Sequence, residues 1–199
     1  MVSIPGGCVD MDNSASGQEH DAEDQPKQVC VQEFALGKYE VTQAQWQAVM
    51  GSNPSAFAGC DDCPVERVSW NDAQDYIRKL NAKTGKHYRL PSNAEWEIAC
   101  RADGRHEYCG ADEIEAVAWY YGNADHHTQP VGGKQSNARG LHDMSGNVWE
   151  WTQDCEEDCA MRMLRGGSWG NVERGVRAAF RNREVATTRS EFVGLRLAR

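Results

Sequence analysis

A chain of 199 residues can bury one sizeable core, and its 40% hydrophobic and 26% charged residues are the composition of an ordinary globular protein. No apolar stretch approaches the roughly 20 residues that cross a bilayer as a helix, which excludes a helical membrane protein. A formal net charge of −9 opposes a phosphate backbone, so nucleic acid is excluded as a general partner.

In chain order, Met1–Gly7 shows neither a basic nor an apolar leader region, so it reads as a start without an export signal or with the signal removed. Ile4, Val9 and Met11 mark one stretch of strand, and Val29 to Phe34 alternates as a second. Paired antiparallel, these strands put Cys8 and Cys30 on one face, close enough to bridge. Asp12 to Lys27 between them is polar and acidic and reads as a mobile loop. Thr42-Gln43-Ala44-Gln45 has the form of a capping box, opening a helix with Trp46, Val49 and Met50 on its buried stripe and Gly51 as its stop. Ser69 opens a second helix, on which Trp70, Ala73, Ile77 and Leu80 recur at spacings of three and four. Ser92-Asn93-Ala94-Glu95 opens a third, with Trp96 and Ile98 inside. After Arg101 the periodic runs fade into Gly, Asn, Trp and Arg, which predicts loops and short strands held by side chains. No repeat recurs at a fixed period, and residues 1–199 read as one domain.

Eight cysteines lie at positions 8, 30, 60, 63, 100, 109, 155 and 159. They sort into sequence-local pairs and favour structural disulfides, which imply an oxidising, extracytoplasmic setting; reduced thiols would imply the cytoplasm. Cys60 and Cys63 form the one Cys-x-x-Cys, too little for a zinc site and without the βαβ context of a redox motif. His126-His127 are adjacent, so their side chains do not converge on one metal ion, and most of the seven Trp are expected in the core. Hydrolase signatures are absent. From Arg162 to Arg199 nine Arg face three Glu, which leaves 12 basic against 27 acidic residues before them. The forked guanidinium groups are expected to fasten irregular loops; the sharper alternative is an anion-binding face.

Seven motifs then stand in a recognisable order. They are Ile4-Pro5-Gly6-Gly7, Lys38-Tyr39-Glu40-Val41-Thr42, Pro64-Val65-Glu66-Arg67-Val68-Ser69-Trp70, the run from Tyr88 to Glu97, Gly140 to Trp151 with its Gly146-Asn147-Val148-Trp149-Glu150-Trp151, Leu164-Arg165-Gly166-Gly167-Ser168-Trp169, and Gly194-Leu195-Arg196-Leu197. Together they resemble the formylglycine-generating enzyme (sulfatase-modifying factor) family over essentially the whole chain. The resemblance implies an α+β, C-type-lectin-like fold with two or three helices, small twisted antiparallel sheets and much irregular loop. It also implies where chemistry would lie. The family's oxidase uses two cysteines five residues apart, after the Arg-Gly-Gly-Ser-aromatic motif, to bind copper and attack oxygen. Those positions are Asn171 and Val176 here, and neither forms a thiolate. The expectation is a non-catalytic protein without copper, the alternative an oxidoreductase of the family or a related enzyme with altered chemistry.

Within the same fold, the end of the chain resembles the variable proteins of diversity-generating retroelements, in which adenine-directed mutagenesis rewrites a terminal segment on a fixed scaffold. Residues 164–199 are the candidate segment. An Asn codon whose adenines are replaced reaches Gly, Val, Arg, Phe, Ser or Thr but not Glu, Lys, Gln, Met or Trp. Gly170, Asn171, Val172, Arg174, Gly175, Phe180, Asn182, Ser190 and Phe192 belong to the reachable set and form the expected ligand-binding face. Glu173, Glu184 and Glu191 do not belong to it. Val172, Arg174, Phe180, Ser190 and Phe192 are expected exposed and close together, with Arg165, Trp169, Arg177, Arg181 and Arg196 buried or hydrogen-bonded beneath them. The expected partner is a protein, or a ligand on a cell or phage surface. The resemblance further implies a structural calcium ion held by the side chains of Asp143 and Glu150 and the carbonyls of Gly146 and Val148, an oxygen-only set suited to that ion.

Overall fold

A computed structural model describes residues 1–11, 27–102, 104–155 and 159–199. Two antiparallel strand pairs open the chain. Strand β1 (Val2–Ile4) pairs antiparallel with β4 (Phe34–Leu36), and β2 (Gly7–Met11) pairs with β3 (Lys27–Val31). Cys8 sits directly opposite Cys30, and the two form a disulfide. The loop expected over 12–27 lies outside the described residues except at its end, where Lys27 is the first residue of β3.

All three predicted helices are present, each opened by the reciprocal side-chain bonds of a capping box. Helix α1 (Gln43–Met50) starts at Thr42 with Gln45 answering, α2 (Trp70–Thr84) at Ser69 with Asp72, and α3 (Asn93–Arg101) at Ser92 with Glu95. Gly51 and Gly85 end the first two in the left-handed conformation that a residue without Cβ adopts freely. The structure adds a four-residue helix, α4 (Ile114–Val117), with no side-chain cap to announce it.

The second half is short strands and ordered loops. Strand β5 (Ala118–Trp119) runs parallel to β6 (Ser145–Gly146). Strands β7 (Trp149–Cys155), β8 (Met161–Arg165) and β9 (Arg181–Val185) form an antiparallel sheet, which β10 (Val193–Gly194) extends by pairing parallel to β7. A single 3₁₀ turn, Glu173–Val176, lies between β8 and β9. The end of the chain returns to its beginning: Ala35 and Arg199 exchange backbone hydrogen bonds, and Ala198 bridges both Leu36 and Arg89. Four disulfides, Cys8–Cys30, Cys60–Cys63, Cys100–Cys109 and Cys155–Cys159, join neighbours in sequence.

The principal core packs α1 and α2 against β7 and β10, with Trp46, Tyr76, Trp149, Trp151 and Leu195 buried in it. Trp96 on α3 centres a second cluster with Ile4, Leu36 and Met144. Five of the seven tryptophans, at 46, 96, 149, 151 and 169, are buried. Among the described residues no helix is long and apolar enough to cross a membrane.

Candidate ligand-binding face

After β8 the chain turns sharply through Gly166 (φ +93°) and Gly167 (φ +76°). The following residues are tied down locally. Ser168 donates from its backbone N–H and its hydroxyl to Asn171 Oδ1 (2.9 and 2.8 Å), and the Trp169 indole N–H donates to the Glu191 carbonyl at 3.1 Å. Trp169 lies edge-on to Phe57 and packs 4.5 Å from the Phe192 ring. These contacts set the walls of a cavity of about 200 Å³. Trp149, Leu164, Phe192 and Val193 give it apolar lining, the first two and Val193 buried in the core; Ser168, Asn171, Asn182, Ser190 and Glu184 supply polar groups. That volume suits one side chain or a small polar group of a partner. Aromatic surface ringed by hydroxyls and amides is a common chemistry for protein recognition.

Gly170, Asn171, Asn182, Ser190 and Phe192 all line this cavity, and Val172 beside it is 65% exposed, with Arg174 exposed as well. Phe180 and Phe192 are half-buried rather than fully displayed: each packs one side against the core, Phe180 next to Trp149. Gly175 corrects the expected face. It is buried, and a Cβ there would fall 2.9 Å from the Asn171 side chain, so it belongs to the scaffold. A Cβ at Gly170 would collide with the Phe192 ring, which couples those two positions: a side chain at 170 requires the ring at 192 to shift or to be replaced.

Codon reachability does not point to Trp149, Leu164 or Glu184, although the sheet register does. Leu164 pairs with Asn182 and Arg162 with Glu184, so Leu164, Asn182 and Glu184 share the face on which the cavity opens. Tyr121, 55% exposed, is a further neighbour outside the end segment; its N–H donates to the Asn171 carbonyl at 2.9 Å, next to Val172.

The arginines of the end segment act as fasteners. Fully buried Arg165 donates to Glu97 Oε2 at 2.9 Å and to the Ala178 carbonyl, and lies 4.9 Å from the Trp96 ring. Burial pulls its pKa down to about 10 against the opposing pull of Glu97, which leaves it charged at neutral pH. Half-exposed Arg177 pairs with Glu107 at 2.6 Å, and Arg189 forks onto both Asp72 oxygens at 2.7 Å. Arg181 is buried. Arg196, fully buried, meets Glu150 through Nε and Nη2 and donates to the carbonyls of Gly37 and His142.

That last pair bears on calcium. Glu150 Oε1 accepts two Arg196 donors, while Oε2 accepts the Trp96 indole N–H at 2.6 Å and Arg196 Nε at 3.1 Å, so its acceptor positions are filled. Asp143 Oδ2 accepts the Gly132 N–H, and its buried Oδ1 meets no donor. Nearby Glu40 accepts Asn147 Nδ2 and the Val148 N–H. Burial pushes the Glu40 carboxyl well up, with Asp143 and Glu150 adding to the rise, and burial likewise raises Asp143. Burial opposes charge on Arg196 too, but Glu150, Glu40 and Asp143 outweigh it and hold its pKa above the ordinary value. The expected four-ligand set therefore does not fit calcium in this arrangement: Glu150 would have to release Arg196, and the guanidinium already supplies the compensating charge. His126 packs on Tyr121, and His127 faces the Thr128 carbonyl.

Compared with known proteins, residues 1–199 match the model of the sulfatase-modifying factor enzyme 1-like domain. The chain is 31% identical to a chaperone protein LppX of Paenibacillus barcinonensis, over 100% of this chain and 89% of that protein. It is 34% identical to the inactive C-alpha-formylglycine-generating enzyme 2 of Bos taurus over 68% of this chain, and spans 50% of that relative. Among solved structures, Treponema denticola variable protein 1 is similar with a TM-score of 0.90 and 27% identity, covering 100% of this chain and 94% of that one. The fold is α+β and C-type-lectin-like.

Proposed function

We propose that this chain, which belongs to the sulfatase-modifying factor enzyme 1-like family, is a non-catalytic ligand-binding protein whose C-terminal segment displays a replaceable surface. The observation that carries this reading is the cavity, because five residues expected to vary line it while arginines of the same segment fasten the backbone beneath. Side chains that contribute little packing can be exchanged without unfolding the scaffold, whereas a wrong core volume costs about 2–5 kcal/mol. The likeness to a variable protein supports diversification by a retroelement. Its partner is a protein or other ligand on a cell or phage surface, met outside the cytoplasm, where four disulfides persist.

The same geometry supports the absence of oxidase chemistry. The Asn171 amide is engaged with Ser168, Val176 is fully buried, and all eight cysteines are bonded to one another, so no thiolate is present to take copper. The pure protein incubated with copper, oxygen and a cysteine-containing sulfatase peptide is expected to give no formylglycine by mass spectrometry. Formation of the aldehyde would establish the enzyme reading instead.

A further inference from the structure

A second and larger cavity, about 630 Å³, lies away from the sheet face, between α1, α2 and the chain on either side of Tyr39. Val49, Leu80, Leu197 and the rings of Tyr39, Tyr76 and Tyr88 give it a largely apolar lining. Tyr76 is held rigidly, stacked on Trp46 with ring centres 4.9 Å apart, and burial raises its hydroxyl pKa to about 12, so it presents a neutral phenol. The volume falls within the range of small-molecule sites, on the order of 300–1,000 Å³.

The charge around this groove is opposite to that of the body containing it. Residues 1–161 hold 27 acidic against 12 basic side chains, yet Lys38 and Lys83 line the groove and Lys86 lies 6.0 Å from the Tyr88 ring. Lys38 Nζ stands 5.2 Å from the Tyr39 ring, and Lys83 Nζ donates to the Ala48 carbonyl at the end of α1. The acidic lining residue, Glu40, directs both carboxylate oxygens to Asn147 and Val148. An apolar trough with lysines at its border complements a molecule with a hydrocarbon body and an anionic head. We propose that this groove binds a small amphipathic carboxylate, its hydrocarbon on Val49, Leu80, Leu197 and the tyrosine rings and its head at Lys38 and Lys83.

Except for Leu197, the groove residues named here lie outside segment 164–199, so the proposal stands or falls separately from the displayed face. The reporter is 1-anilinonaphthalene-8-sulfonate, whose fluorescence rises in apolar surroundings. It is titrated against the intact protein and displaced by dodecanoate or by dodecyltrimethylammonium, each below its micellar concentration. Dodecanoate is expected to displace the reporter and the cationic amphiphile to fail. The double variant Lys38→Gln, Lys83→Gln is expected to bind dodecanoate about tenfold more weakly, since two partly exposed ion pairs are lost. Ala48→Trp, a helix-compatible change that fills the groove and leaves both lysines in place, is expected to abolish reporter binding. Equal displacement by the two amphiphiles, or unchanged binding in both variants, would overturn the proposal.

Discussion

Replacing Arg196 with Met is expected to lower the free energy of unfolding by about 3–5 kcal/mol, because it strips a buried ion pair of one partner. The loss is expected toward the upper end of that range. Glu150, Glu40 and Asp143 all act on this one guanidinium, and each of the three carboxylates is buried. Without it, Glu150 keeps only the Trp96 indole as a donor among the contacts of its carboxylate, and Gly37 and His142 lose the donor that ties the chain end to two loops. Against a typical total of roughly 5–15 kcal/mol, such a loss removes a large part of the stability. For a chain of this size it corresponds to a fall in Tm of roughly 6–20 °C. Denaturant unfolding checks it: the midpoint should drop with an unchanged slope, and replacing Glu150 by Met as well should recover part of the loss by removing one uncompensated charge. A change under about 1 kcal/mol would mean that water or another cation reaches the cluster.

Gly167→Ala is the second severe substitution, expected to cost about 2–5 kcal/mol through left-handed backbone strain and overpacking together. At φ +76° the new Cβ would stand 2.5 Å from the Gly175 carbonyl oxygen and 2.6 Å from a Val176 methyl. Neither neighbour can swing aside as the end of a flexible side chain could, so the 3₁₀ turn from Glu173 to Val176 must shift, and with it the Asn171 wall of the cavity. Gly140→Ala is the control. Its φ is +78°, but nothing lies within 4 Å of the added carbon, so the change carries the backbone strain alone, about 1–2 kcal/mol. Thermal unfolding of the two variants side by side separates strain from collision. Equal losses would show that the turn at Gly167 yields.

Local signals in the sequence announce some of these elements, and distant pairings leave others unannounced. The helices starting after Thr42, Ser69 and Ser92 were legible because a capping box is complete within four residues. Cys8 and Cys30 were legible because two alternating strands brought them opposite each other. Helix α4 carries no side-chain cap, and β10 reaches β7 across more than forty residues, so neither leaves a local trace. On the candidate face, codon reachability identifies which residues mutation can produce but contains no information on burial. It therefore placed Gly175 on the surface and omitted Glu184, which the pairing of β8 with β9 puts on the cavity side. Glu150 is a parallel case: its motif suggests a cation ligand, while its partner Arg196 lies 46 residues away and is visible only once the chain is folded.

A replaceable surface on a fixed scaffold is tested most directly by replacing the surface. Val172, Asn182, Ser190 and Phe192 are randomised together, with Arg165, Gly167, Trp169, Val176 and Arg196 left untouched, and thermal unfolding is measured across a sample of variants. Exposed replacements, as at Val172, typically stay within about 0.5 kcal/mol, and half-buried Asn182, Ser190 and Phe192 each add a partial packing loss. Most variants should therefore fold and unfold cooperatively within several degrees of the parent. If typical members instead lose as much stability as a Val176→Ser or Trp169→Ser variant, these side chains are part of the core and the segment does not serve as a displayed binding surface.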